Sequence, residues 1–258
     1  MEFRRWLSLL AVLPVLAIAA GATAAPILLY DGSGTPTSQG WTRINSGSST
    51  QVVGVGTTTF STSGEATNLY LYDTAATDFV VSIGLAVEAS QFNPFDAGLM
   101  FTPFGSVSET FAMLAYEREH SLTIGQDTLL WGDNTGPTYS LNTGVTHEYA
   151  LRYSGGKLDV FVDAVFANVV AGTATPILSR TGVVPGFGQN VGTVGFGDGS
   201  NDFFGGPSYV NSNYTVDFVQ FEALPAAPPV SEVPEPATLS LTALGLGVGA
   251  FKRARRRS

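Results

Sequence analysis

The segment His147-Glu-Tyr-Ala-Leu-Arg-Tyr153 is followed by Ser154-Gly155-Gly156-Lys157 and then by Leu158-Asp-Val-Phe-Val162. Two β-prone runs around a Gly-Gly pair read as antiparallel strands joined by a tight turn, because only glycine takes the positive φ of such turns without strain. Upstream, Phe79, Val81, Ile83, Leu85 and Val87 alternate with Val80, Ser82, Gly84, Ala86 and Glu88. This period of two predicts a half-buried strand with the odd residues on its apolar face. Further strands are expected at 27–30, 50–55, 69–72, 111–116, 122–124, 191–196 and 214–221. No stretch of about 12 residues in the body has helical periodicity, and no short repeat marks a β-helix. Short strands between Gly/Ser/Thr/Asn turns predict an all-β fold, an antiparallel two-sheet sandwich or jelly roll.

Composition supports this reading and excludes others. The 258 residues include 30 glycines, 22 serines, 27 threonines and no cysteine; 13% are charged and the net charge is -9. Without thiols there is no disulfide framework, zinc finger or iron–sulfur centre. The acidic excess disfavours nucleic acid, scarce Glu/Lys/Arg disfavours a coiled coil, and 44% apolar residues exclude a disordered polar chain.

The average charge hides three unlike segments. Residues 1–24 read as a secretory signal peptide: Arg4-Arg5, an apolar run from Trp6 to Ala20, then Ala22-Thr23-Ala24. This end is expected to form a signal helix and to be cut by signal peptidase. At the other end, Val233-Pro234-Glu235-Pro236 precedes an uncharged stretch from Ala237 to Phe251, and Lys252, Arg253, Arg255, Arg256 and Arg257 close the chain. Fifteen helical residues rise about 22 Å, short of the ~30 Å hydrocarbon core. The basic cluster is a membrane stop that stays cytoplasmic. The tail therefore reads as a short apolar helix that holds the chain transiently in the inner membrane. A Pro/Ala-rich linker spans 225–232, leaving a β-sandwich domain at 25–224. Residues 25–230 carry 18 acids against five bases, Arg43, Arg118, Arg152, Lys157 and Arg180, for a net charge of -13.

The segment from Val233 to Ser258 closely resembles the PEP-CTERM sorting signal of Gram-negative bacteria: Val-Pro-Glu-Pro, a Leu/Gly/Ala-rich helix and an Arg-rich end. That resemblance implies recognition by an exosortase, cleavage near Pro234-Glu235-Pro236, and release or attachment at the cell surface. It also implies a setting of exopolysaccharide and biofilm. Within the body, Tyr149-Ala-Leu-Arg-Tyr153, the Gly-Gly turn, Leu158-Asp-Val-Phe-Val-Asp163, and Val194-Gly-Phe-Gly-Asp198 with Tyr214-Thr-Val-Asp217 resemble strands of concanavalin A-like lectin/laminin G-like jelly rolls. Ala164 stands where that family's turn has glycine, which leaves the turn type open.

Four constellations are candidates for chemistry. Glu117 and Glu119 stand two apart on a predicted strand, about 7 Å between Cα atoms, within range of paired glycosidase carboxyls; the third acid of the jelly-roll glycosidase run is missing. Asp198, Ser200 and Asp202 place oxygens at alternate positions of a Gly-rich loop, which makes calcium the candidate cofactor, with Asp133-Asn134 a weaker second position. Trp131, Asp133, Asn134 and Tyr139 combine aromatic rings with directed polar groups, as sugar binding requires. His120 and His147 are the only histidines and lie far apart in sequence. No nucleophile elbow or dinucleotide loop appears in the strand–helix setting it needs. The sequence thus predicts an exported, non-enzymatic cell-surface or matrix protein with polysaccharide as candidate ligand. A glycan-active hydrolase using Glu117 and Glu119 is the alternative.

Overall fold

The computed structural model describes residues 25–45, 48–63, 68–89, 99–106, 121–125, 127–133, 135–186, 188–199 and 212–225. In chain order the strands are β1 (Ile27–Tyr30), β2 (Thr42–Asn45), β3 (Ser48–Val53), β4 (Thr58–Ser63), β5 (Asn68–Asp73), β6 (Phe79–Ala89), β7 (Leu99–Gly105), β8 (Leu122–Gly125), β9 (Thr128–Trp131), β10 (Tyr139–Ser140), β11 (His147–Ser154), β12 (Lys157–Val162), β13 (Leu178–Thr181), β14 (Asn190–Asp198) and β15 (Asn213–Ala223). A 3-10 turn, Pro36–Gln39, and a five-residue helix α1, Phe166–Val170, complete the described elements.

The strands form two antiparallel sheets. One runs β13-β12-β11-β6-β15-β4-β3, with β1 also paired to β15; the other runs β10-β9-β8-β7-β14-β5-β2. The molecule is an all-β two-sheet antiparallel sandwich, as expected. The predicted hairpin is present, with Ser154 opposite Lys157 and both Gly155 and Gly156 at positive φ. At its far end the missing glycine is explained. Asp163 itself takes φ 51, and its carboxylate accepts the Glu148 backbone N–H at 3.0 Å. Aspartate enters the left-handed region more readily than most residues, and this cross-strand bond fixes it there, so Ala164 need not be glycine.

The core lies between the sheets, and the odd residues of β6 point into it. Phe196 of β14 is its hub, meeting Tyr30 at 6.2 Å, Trp41 at 5.2 Å, Phe60 at 6.0 Å and Tyr70 at 5.4 Å between ring centroids. Phe60 in turn stacks on Tyr214 at 5.0 Å. These contacts join β1, β4 and β15 of one sheet to β5 and β14 of the other.

Two expectations are corrected. β6 is not half-buried, since Phe79 through Val87 are buried on both faces. Its outer face is filled: Val80 packs with Ala150, Phe161 and Val169 of α1, Ser82 donates to Glu148 at 2.6 Å, and the Phe218 ring covers Gly84. The strand expected at 50–55 begins at Ser48 and ends at Val53, because Gly54 N–H donates to Thr57 at 2.8 Å and closes a turn. The strand expected at 111–116 and both terminal helices lie outside the described residues. No helix among the described residues is long and apolar enough to cross a membrane.

Since β1 is antiparallel to β15, with Ile27 opposite Phe221, the chain enters and leaves the sandwich at one end. Phe196→Ala should cost about 3–5 kcal/mol, read as a lower urea midpoint with an unchanged m-value.

Candidate functional site

Two polar clusters are built on the sandwich. The first lies where the end of β9 in one sheet meets β13, the edge strand of the other. Trp131 ends β9 and is 1% exposed. The Arg180 guanidinium, reaching across from β13, sits 4.7 Å from its ring centroid. Arg180 also donates to both Asp133 oxygens, at 3.0 and 3.2 Å, and to Thr135 Oγ1 at 2.8 Å. Asp133 is further fixed by the Thr135 backbone N–H at 3.1 Å and the Thr135 hydroxyl at 2.7 Å. Partial burial pushes the Asp133 carboxyl up, but the bonds from Arg180 and Thr135 outweigh this and hold it below the usual carboxylate range.

The structure therefore brings Trp131 and Asp133 together through Arg180, a residue the sequence did not connect to them. Trp131 is a core residue with a guanidinium over its ring. Tyr139 is exposed on β10, opposite Leu129 in register. Asn134 lies outside the described residues. The arrangement is a clasp between the two sheets.

The second cluster lies at the opposite end of the sandwich from the chain's entry and exit. Asp198 ends β14, is 1% exposed, and accepts the Thr62 hydroxyl at 2.6 Å. Thr62 Oγ1 accepts the Ser212 backbone N–H at 3.1 Å. Arg43 of β2 donates to Asn68 Oδ1 at 2.8 Å and to the Ser49 hydroxyl. Tyr70 and Tyr214 face this group, and burial pushes both hydroxyls up in pKa, Tyr214 the further. Among the described residues, Ser212 Oγ is buried with no hydrogen-bond partner, and Asn68 stands beside the buried Tyr70 and Tyr214 hydroxyls, which make no other hydrogen bond among the described residues. Such groups are ordinarily satisfied by ordered water or a bound polar ligand.

Of the proposed calcium ligands, only Asp198 is described; Ser200 and Asp202 lie outside the described residues. No group of three or more His, Cys, Asp or Glu stands together among the described residues. Calcium takes six to eight oxygens, and the described part supplies one carboxylate, already accepting from Thr62 and at the same end as Arg43. The described residues alone do not make a calcium cage.

His147 uses both ring nitrogens within the fold, Nδ1 at 2.6 Å from Asp163 Oδ2 and Nε2 at 3.0 Å from the Asn142 carbonyl. It braces the start of β11. Glu117, Glu119 and His120 lie outside the described residues, as do the sorting tail and the signal segment.

The fold is thus an antiparallel two-sheet sandwich. Residues 232–257 match the PEP-CTERM protein-sorting motif, covering Val233-Pro234-Glu235-Pro236 and the basic end. No match is found among curated proteins. Among solved structures, the chain is similar to the VIP36 exoplasmic/lumenal domain in its Ca2+/Man2-bound form, at 11% identity over 80% of this chain and 91% of that one, with a TM-score of 0.46. It is also similar to a botulinum neurotoxin type C structure, at 11% identity over 78% of this chain and 48% of that one, TM-score 0.43. A glycosyl hydrolase family protein from Mycobacterium fortuitum matches at 13% identity over 67% and 78%, TM-score 0.35. At such identities and scores these likenesses say nothing of ligand or chemistry.

The clasp has a pH signature. The Asp133 carboxyl is lower in the folded than in the unfolded chain, so its contribution is present above about pH 4 and is lost as pH falls through the folded value. Urea midpoints measured from pH 6 down to pH 3 should fall less steeply in Asp133→Asn than in the native chain. Arg180→Ala should lower stability at neutral pH by about 1–2 kcal/mol.

Proposed function

We propose that this chain is an exported, non-enzymatic surface or matrix protein, processed through the PEP-CTERM/exosortase route, whose acidic sandwich takes polysaccharide as its ligand. The sorting motif at 232–257 carries this reading. The charge order of the ends supports it. A signal segment near +1 and a tail near +3 flank a body at -13, so the basic residues after the apolar stretch are retained on the cytoplasmic side while the body is exported.

The sandwich is arranged for that route. Signal segment and linker join it side by side at one end, through the β1–β15 pairing. The opposite end, carrying Asp198, Asn68, Tyr70, Ser212 and Tyr214, then faces away from the membrane. Three of the described acids are engaged structurally: Asp133 is held by Arg180, Asp163 by His147, and Asp198 by Thr62. Calcium is the candidate cofactor, at Asp198, Ser200 and Asp202.

Deleting residues 233–258 tests the reading. Cell fractionation should show the truncated chain missing from the surface fraction, and unchanged display would overturn the sorting claim. A glycan array run with and without chelator tests the ligand: selective, chelator-sensitive binding is expected, and a blank array removes polysaccharide from the account.

A further inference from the structure

Among the described residues, one sheet edge has no protection. β3 pairs with β4 along its whole length in regular register, from Ser48 opposite Ser63 to Val53 opposite Thr58. It ends its sheet, with no strand on its other side among the described residues. The turn bond from Gly54 N–H to Thr57 fixes which ladder positions face β4. By the alternation of antiparallel ladders, the N–H and C=O groups of Ser49, Gln51 and Val53 point away from it, along the free edge. Beside them Val52, Val53 and Val55 are 67%, 44% and 103% exposed.

Native sheets blunt such edges with charge, proline, bulges, short strands or cover. The other described edges have these devices. β13 is held by Arg180 to Asp133 and Thr135. β2 carries Arg43, and β10 has two residues. β1 has four residues, a bulged register, Pro26 before it and Asp31 after it. β3 has six residues, no proline and no charge. The charge-free run extends from Ile44 to Gly64, in a body of 18 acids and five bases.

We infer that β3 is a self-association edge, occupied by β3 of a second copy in antiparallel, two-fold register. An antiparallel edge is its own hydrogen-bond complement, as a two-fold interface requires. Charge selects the same occupant. Two bodies at -13 repel over most of their surface, and the uncharged β3–β4 hairpin is where they can approach. The hairpin is held in place, since the Thr58 hydroxyl donates to the Gly32 carbonyl at 3.1 Å. The two-fold turns the second copy end for end, so the two chain exits point apart. This inference is independent of the ligand.

The test is the mass of the exported chain, recovered from cells, by sedimentation equilibrium over a concentration series. A monomer–dimer equilibrium is expected that tightens as salt shortens the Debye length to about 8 Å. Val52→Lys should weaken it at least tenfold by placing like charges at the edge, while Val52→Thr keeps it. Val145→Lys, at an exposed valine outside the hairpin, should leave it unchanged. Circular dichroism should give the same fold for all three. A native chain monomeric throughout, a Val52→Lys chain that dimerises as tightly as the native one (as association through the apolar tail would give), or equal loss in Val145→Lys would each overturn the inference.

Discussion

The sandwich depends on the packing of Phe196 between its sheets. A chain with no cysteine has no covalent brace outside the cell, so cohesion must come from buried apolar area and ring contacts. Phe196 meets Tyr30 of the strand that begins the domain, Phe60 of β4, Trp41 and Tyr70, and Phe60 passes the contact on to Tyr214 of the strand that ends it. Its neighbours in sequence make this possible. A Cβ at Gly195 would lie 2.3 Å from Leu71, and one at Gly197, which has φ 135, would lie 2.2 Å from the Asn68 carbonyl. The Val194-Gly-Phe-Gly run is therefore one large ring on the core side with close backbone approach on the other.

Electrostatics follow from how few bases the body has. Two of the five, Arg43 and Arg180, are spent inside the fold. Arg180 ties the two sheets together where the end of β9 meets β13, and Arg43 orders the end where Asp198 sits. The surface is left with an acidic excess, which keeps the domain soluble and confines close approach of another copy to the uncharged hairpin. One distribution of charge thus sets both the internal clasps and the face open to association.

Where the pattern was strong, the sequence was legible. The 79–87 alternation, the 147–162 hairpin, β14 and β15 lie where periodicity and glycine place them. β4 escaped notice because Thr58–Ser63 has one large apolar residue, Phe60, and β7 because Pro103 interrupts its run. β13 has a single apolar residue in four. The second buried face of β6 was not legible either, since it is filled by α1 and by residues from β11 and β15 far away in sequence. The sequence groups Trp131 and Asp133 with Asn134 and Tyr139, but their partner Arg180 is separated from Asp133 by 47 positions. Nothing local points to it; the scarcity of cations was the one signal that each arginine had a specific task.

In the proposed function, an acidic sandwich entered and left at one end is flanked by two basic addresses for export, both cut from the mature chain. The most direct test is the intact mass of the exported chain, recovered from the surface or medium of the cells that make it. The account predicts a chain beginning near Ala25 and ending within Pro234-Glu235-Pro236, free of the apolar stretch and the arginines. A mass that retains residues 237–258 would contradict it.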